Sequence, residues 1–158
     1  MIKIAITGTP GTGKTTIAKE LSNLLGIPLV NTSDLLKKSS VGFDKKRNCL
    51  IIDEIKFGKL ISKIEGDFII EGLLVHNISS KFVTNVIVLT CNHNELKKRL
   101  IKKGWKKEKI QENLDAENMK VILGETKDLK HNVIEFDTSG KTPKKSAENL
   151  KRVIMCQQ

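Results

Sequence analysis

Gly8-Thr9-Pro10-Gly11-Thr12-Gly13-Lys14-Thr15 is the stretch that decides the reading of this chain. It follows Met1-Ile2-Lys3-Ile4-Ala5-Ile6-Thr7, a β-branched run, and leads into the helical pattern Thr16-Ile17-Ala18-Lys19-Glu20-Leu21. Strand, loop and helix thus stand in the order that a G-x-x-x-x-G-K-T phosphate loop requires. Gly11 and Gly13 let backbone N–H groups converge on phosphate oxygens, and the helix start adds its dipole. Lys14 has the reach for β- and γ-phosphates, and the Thr15 hydroxyl is a ligand for Mg2+. A chance glycine-rich turn is the alternative, and it would need eight positions in register after a strand. The motif implies a nucleoside triphosphate without naming an acceptor, since kinases, GTPases and ATPases share it.

Outward from the loop, short apolar runs alternate with helical patterns, the signature of a parallel sheet covered by helices. The runs are Ile2–Thr7, Leu29–Val30, Asp67–Ile70, Val86–Thr90 and Val133–Phe136. Helices are expected over Lys14–Leu25, Ser33–Ser39, Glu54–Ile64, Asn94–Lys103, Lys106–Gly124 and Pro143–Ile154. Thr142 before Pro143 is an N-cap followed by proline at the first helical position. The stretch Ser39–Asn48 reads as the least regular part, and Leu96–Ile110 as the most basic. The fold class is α/β, three layers around a parallel sheet, in one domain spanning residues 1–158.

The 158 residues suffice for one full hydrophobic core and are few for two. Lys and Arg number 28 against 18 Asp and Glu, a formal net charge of +10 that favours anionic partners such as nucleotides or RNA. Only Arg47, Arg99 and Arg152 are arginines, so the charge is mostly lysine, which meets phosphate as a point charge rather than a fork. Cys49, Cys91 and Cys156 are scattered, without metal-ligand spacing, and read as reduced thiols. No apolar run approaches the roughly 20 residues of a membrane span, and the chain reads as cytoplasmic. A guanine-reading N-K-x-D is absent and the chain is short for a motor ATPase, which leaves a small phosphotransferase.

Further carboxylates point to the same cleft. Phe68-Ile69-Ile70-Glu71-Gly72 ends the third strand with a carboxylate placed to hold Mg2+ and its water shell. An ordinary surface glutamate is the competing reading for Glu71. Asp34 and Asp53 are the other acids able to face that space. His76, His93 and His131 read as structural histidines, with a catalytic part for His76 the less favoured option. Trp105 reads either as packing for a hinge or as a half-buried core ring.

With these residues in view, the chain resembles the adenylate kinase isoenzyme 6 family over nearly its whole length. The shared pieces are Gly8 to Thr16, Asn31-Thr32-Ser33-Asp34-Leu35, Gly42-Phe43-Asp44, Cys49 and Asp53-Glu54. Arg99-Leu100, Lys103-Gly104-Trp105 and the helix around Asn113 and Glu117 follow in order. The resemblance implies a nucleoside monophosphate kinase-like core of five parallel strands, a monophosphate-binding segment near 30–53 and a short lid near 103–113. It implies ATP contacts at Gly11, Gly13, Lys14, Thr15, Thr16, Lys103 and Lys141, and acceptor contacts at Asp34, Lys37 and Asp53. Lys14, Glu71 and Lys103 are the implied catalytic set, with Thr15 and Glu71 for Mg2+.

AMP is the implied acceptor, with ATPase activity beside the transfer. The resemblance also implies a part in small ribosomal subunit maturation, with a platform ribosomal protein and rRNA as partners. The rival class is therefore a nucleotide-gated assembly ATPase, with kinase activity incidental. The chain departs from the family pattern at Leu73, where a histidine is usual, and at Lys37 and Lys103, where arginines are usual. Glu71 stands where many members carry aspartate. The lysine replacements turn bidentate clamps into point charges, and slower or looser transfer is expected.

Overall fold

A computed structural model describes residues 1–157. Four strands form the central sheet in the order β4-β1-β5-β6, all parallel: β1 (Lys3–Gly8), β4 (Phe68–Glu71), β5 (Asn85–Thr90) and β6 (Val133–Asp137). Alternation along each strand sorts the core into two faces. Ile4, Ile6, Ile69, Ile87, Leu89 and Ile134 point one way, against Ile17, Ala18 and Leu21 of α1 (Lys14–Leu25) and Ala147, Leu150 and Ile154 of α7 (Pro143–Cys156). Ala5, Phe68, Ile70, Val86 and Val88 point the other way, against Phe57 and Ile61 of α3 (Glu54–Ser62) and Leu123 of α6 (Val121–Asp128). Each large side chain buried in this way contributes about 1.5 to 3 kcal/mol. A smaller cluster joins Leu96 and Leu100 of α4 (His93–Lys102) to Ile110 and Leu114 of α5 (Lys107–Asn118), with Cys91 and Trp105 against it.

The expected fifth strand is reduced to one bridge, Leu29 beside Ile69. Val30 N–H donates to Ile69 O at 2.8 Å and Ile69 N–H to Pro28 O at 2.9 Å. Pro28 has no N–H, and Asn31 at once caps α2 (Thr32–Ser39), so the pairing has no room to extend. The expected helix Lys106–Gly124 is instead two, α5 and α6, because Lys120 adopts a left-handed φ of 51° between them. The irregular stretch is a hairpin: β2 (Ser40–Asp44) pairs antiparallel with β3 (Cys49–Ile52). Asp44 Oδ1 accepts from Lys46 N–H and Arg47 N–H to close its turn, and Asn48 takes a φ of 52°. Thr142 caps α7 with Pro143 in the first turn, in agreement with the sequence reading.

Candidate active site

The phosphate loop runs from the carboxyl end of β1 into α1, where ligands of open parallel sheets collect. Two of its glycines are fixed by close approach. A Cβ on Gly8 would lie 2.4 Å from Leu89 O, and one on Gly11 would lie 2.9 Å from Leu96 Cδ1 and 3.0 Å from Leu100 Cδ2. The loop therefore rests on β5 and on the leucine face of α4, and packing is a second reason for glycine at position 11. Gly13 caps α1 without a side chain, so the helix start keeps its N–H groups for an anion.

Lys14 Nζ folds across the loop and donates to Gly8 O at 2.8 Å and Thr9 O at 3.3 Å. Burial lowers its pKa to about 8; Glu71 opposes that shift, the Lys103 charge adds to it, and Glu117 opposes it. An ammonium so poorly solvated is primed for an anionic ligand. Thr15 Oγ1 donates to Glu71 Oε1 at 3.0 Å, so the two residues expected to take Mg2+ are side by side at the loop's end. One hydroxyl and one carboxylate match an ion whose remaining ligands are phosphate oxygens and water. Among the described residues no group of three or more His, Cys, Asp or Glu side chains forms a cage for a metal without them.

Around the loop opens a cleft of about 770 Å3, lined by Pro10–Ile17 and by Arg99, Lys102, Lys103, Thr138, Lys141 and Pro143. Its charged lining is entirely cationic. Lys103, on the turn after α4, lies with its Nζ 5.9 Å from the Trp105 ring centroid, while Lys109 Nζ sits 4.0 Å from it. Trp105 is partly buried against the α4–α5 cluster, as the core-ring reading expects. Lys141 Nζ donates to Asp137 O at 2.9 Å.

Asp34, Lys37 and Asp53 lie outside the cleft lining, on the adjoining α2–β2–β3 excursion. Asp34 Oδ2 accepts from Asn31 Nδ2 at 2.8 Å, and Asp53 caps α3 by accepting from Lys56 N–H at 2.9 Å. Lys37 is exposed in the last turn of α2. The excursion touches the loop region through Thr32, whose Oγ1 donates to Glu71 O at 2.7 Å. His76 is buried between β1 and α6, not presented to the cleft.

The sequence reading missed the strut that shapes the cleft. Arg99 Nη1 donates to Thr138 Oγ1 at 3.1 Å and approaches Gly11 O at 3.4 Å and Thr12 O at 3.5 Å, while Nη2 donates to Thr138 O at 3.2 Å and to Glu95. Glu95 Oε2 accepts from Gly140 N–H at 2.7 Å, a bond that with Arg99 holds its carboxyl below the usual range. One guanidinium thus ties the phosphate loop, α4 and the β6–α7 loop together. The available signal was an arginine in a lysine-rich chain, one helical turn after a glutamate.

A phosphate loop on a parallel sheet, a cationic cleft and a paired threonine and carboxylate define a P-loop nucleotide-binding protein. The chain belongs to the AAA-domain family, whose model matches residues 4–120. Its relatives include "Putative adenylate kinase" of Thermococcus kodakarensis, 39% identical over 96% of this chain and 84% of that protein. The protein of the same name from Methanocaldococcus jannaschii is 38% identical over 89% of this chain and 78% of that one. In fold, the chain is similar to shikimate kinase from Acinetobacter baumannii in complex with shikimate, with TM-score 0.72 and 14% identity, covering 100% and 96% of the two chains. Deoxyadenosine kinase from M. mycoides with bound dCTP follows with TM-score 0.61 and 18% identity, covering 98% and 100%.

Proposed function

We propose that the protein is an ATP-dependent nucleoside monophosphate kinase, with AMP the preferred acceptor, working in the cytoplasm. The observation that carries this reading is the Thr15–Glu71 pair at 3.0 Å beside buried Lys14, at the mouth of a cationic cleft. ATP lies along Gly11, Gly13, Lys14, Thr15 and Thr16, with Lys103 and Lys141 over its phosphates and base. Lys103 closes as a short lid near 103–113 and excludes water. The acceptor enters over the segment near 30–53, with Lys37 at its phosphate and Asp34 and Asp53 at its polar groups.

A phosphate oxygen of the acceptor attacks the γ-phosphorus in line, and the bond to the β–γ bridging oxygen breaks to release ADP. Thr15 and Glu71 would hold Mg2+, which would supply neutralisation of charge on the phosphate oxygens. Lys14 and Lys103 stabilise the charge that spreads over the non-bridging oxygens. Leu73, two residues beyond Glu71 and 46% exposed, has no group to orient an attacking water, which favours transfer over hydrolysis. AMP as acceptor is supported by the relatives' name, and ATPase activity beside the transfer only by the resemblance described above.

The test follows phosphorus NMR of ATP and Mg2+ mixed with each monophosphate. Diphosphate forms fastest with AMP, and Lys14→Ala abolishes it; full transfer by Lys14→Ala would overturn the assignment. Phosphate release indifferent to any acceptor would favour the alternative, a ribosome-assembly ATPase that binds a small-subunit platform protein and rRNA. The net charge of +10 is compatible with that partner.

A further inference from the structure

The mechanism above leaves a buried histidine unused. His76, 3% exposed, lies on the short 3-10 turn Val75–Asn77, five residues after Glu71. Its Nε2 is 3.1 Å from Glu125 Oε2 on α6, and its Nδ1 is 3.4 Å from Thr7 Oγ1 near the end of β1. His131 Nε2 donates to the His76 carbonyl at 2.8 Å. Thr7 is fully buried, and its hydroxyl also lies 3.2 Å from Leu73 O.

The proton inventory of this group is short. With the Nε2 proton given to the Glu125 carboxylate, the Nδ1 lone pair faces Thr7. The single threonine proton is then shared between Nδ1 and Leu73 O. Both ends of the Leu73–His76 turn are therefore fastened to one residue of β1, the residue that immediately precedes the phosphate loop. Glu71, the last residue of β4, stands two residues before that turn; its carbonyl accepts from Thr32 and its carboxylate from Thr15. Glu125 adds the connection to α6, which follows the lid helix α5 across the Lys120 break.

We propose that His76, held by Thr7 and Glu125, is a positioning residue: it fixes the turn that follows β4 and so holds the Glu71 end of that strand beside Thr15, which sets how well that pair takes Mg2+. The proposal rests on the reading of Thr15 and Glu71 as the residues for that ion. Groups that orient such residues without touching the metal are worth about 10- to 100-fold in metal affinity.

The experiment is calorimetric titration of ATP without metal, then of Mg2+ into the ATP complex, for wild type, His76→Ala, His76→Asn and Glu125→Ala. The expected result for His76→Ala and Glu125→Ala is unchanged metal-free ATP affinity with Mg2+ binding weakened about tenfold or more. His76→Asn, which can still meet Thr7, recovers part of the loss. Glu125 has a side chain 56% exposed, so its alanine variant keeps the test open if His76→Ala does not fold. Unaltered Mg2+ affinity in folded Glu125→Ala and His76→Asn, or equal loss of metal-free ATP binding, would overturn the proposal. Wild type that binds ATP without any strengthening by Mg2+ would instead overturn the reading of Thr15 and Glu71, and the proposal with it.

Discussion

Raising the pH should weaken the grip on metal-free ATP far below the range where ordinary lysines titrate. The perturbation acts on Lys14, whose pKa burial lowers to about 8 from the usual 10.5. If only the ammonium form holds the phosphates, the apparent Kd scales inversely with its population. That population falls from about 0.8 at about pH 7.5 to about 0.03 at about pH 9.5, a roughly 25-fold loss of affinity. A lysine at its ordinary value would lose only about 10% over the same range.

The assay is calorimetry in chelator, in paired buffers of different ionisation heat, so that proton uptake on binding is read directly. Uptake should peak on the alkaline side of about pH 8 and vanish in Lys14→Ala. Stability of the free protein moves the opposite way. The folded value lies below the unfolded one, so the unfolded chain binds more protons between about pH 8 and about pH 10.5. Lys14's contribution therefore improves as pH rises through that window and is lost as pH falls through about 8. A flat Kd up to about pH 9.5 would refute the reasoning about Lys14.

Other outcomes follow from the same geometry. Thr15→Ala and Glu71→Gln should each lower kcat about a hundredfold or more while sparing metal-free ATP binding, checked by rate and titration together. Gly11→Ala forces a Cβ against Leu96 and Leu100 at a φ of 96°, and thermal unfolding should show a loss of about 2 to 4 kcal/mol with impaired ATP binding. Arg99→Ala leaves Glu95 and the loop carbonyls without their shared partner, costing about 2 kcal/mol in denaturant titration. Among the described residues Ser146, in α7, carries a buried hydroxyl without a hydrogen-bond partner, so Ser146→Ala should raise stability by up to about 1 kcal/mol.

The parts of the fold legible in the sequence are those determined locally. Gly8–Thr15 fixes strand, loop and helix start within a short span, and the alternation of Ile4, Ala5 and Ile6 already separates the two faces of the sheet. Asp53 reads in the sequence as an acid facing the cleft and a contact for the acceptor, while in the structure it caps α3, since an aspartate before a helix serves a cap as readily as a ligand. The hairpin was missed because Gly42 and the Asp44–Asn48 turn interrupt short runs, although Val41 and Phe43 facing Leu50–Ile52 were its signal. The break at Lys120 carries no Gly or Pro to announce it, although the residue takes a left-handed φ of 51°. The Arg99–Thr138 and Thr7–His76 contacts join residues 39 and 69 positions apart, so no local pattern could disclose them.

The central claim is that this cleft moves the γ-phosphate of ATP to a monophosphate. The most direct measurement uses γ-labelled ATP with Mg2+, with and without AMP, and counts label in ADP against label in free phosphate. The account predicts label transferred to AMP well above label released as phosphate, and loss of that transfer in Glu71→Gln. Phosphate release at the same rate with or without AMP, and no labelled ADP, would contradict it.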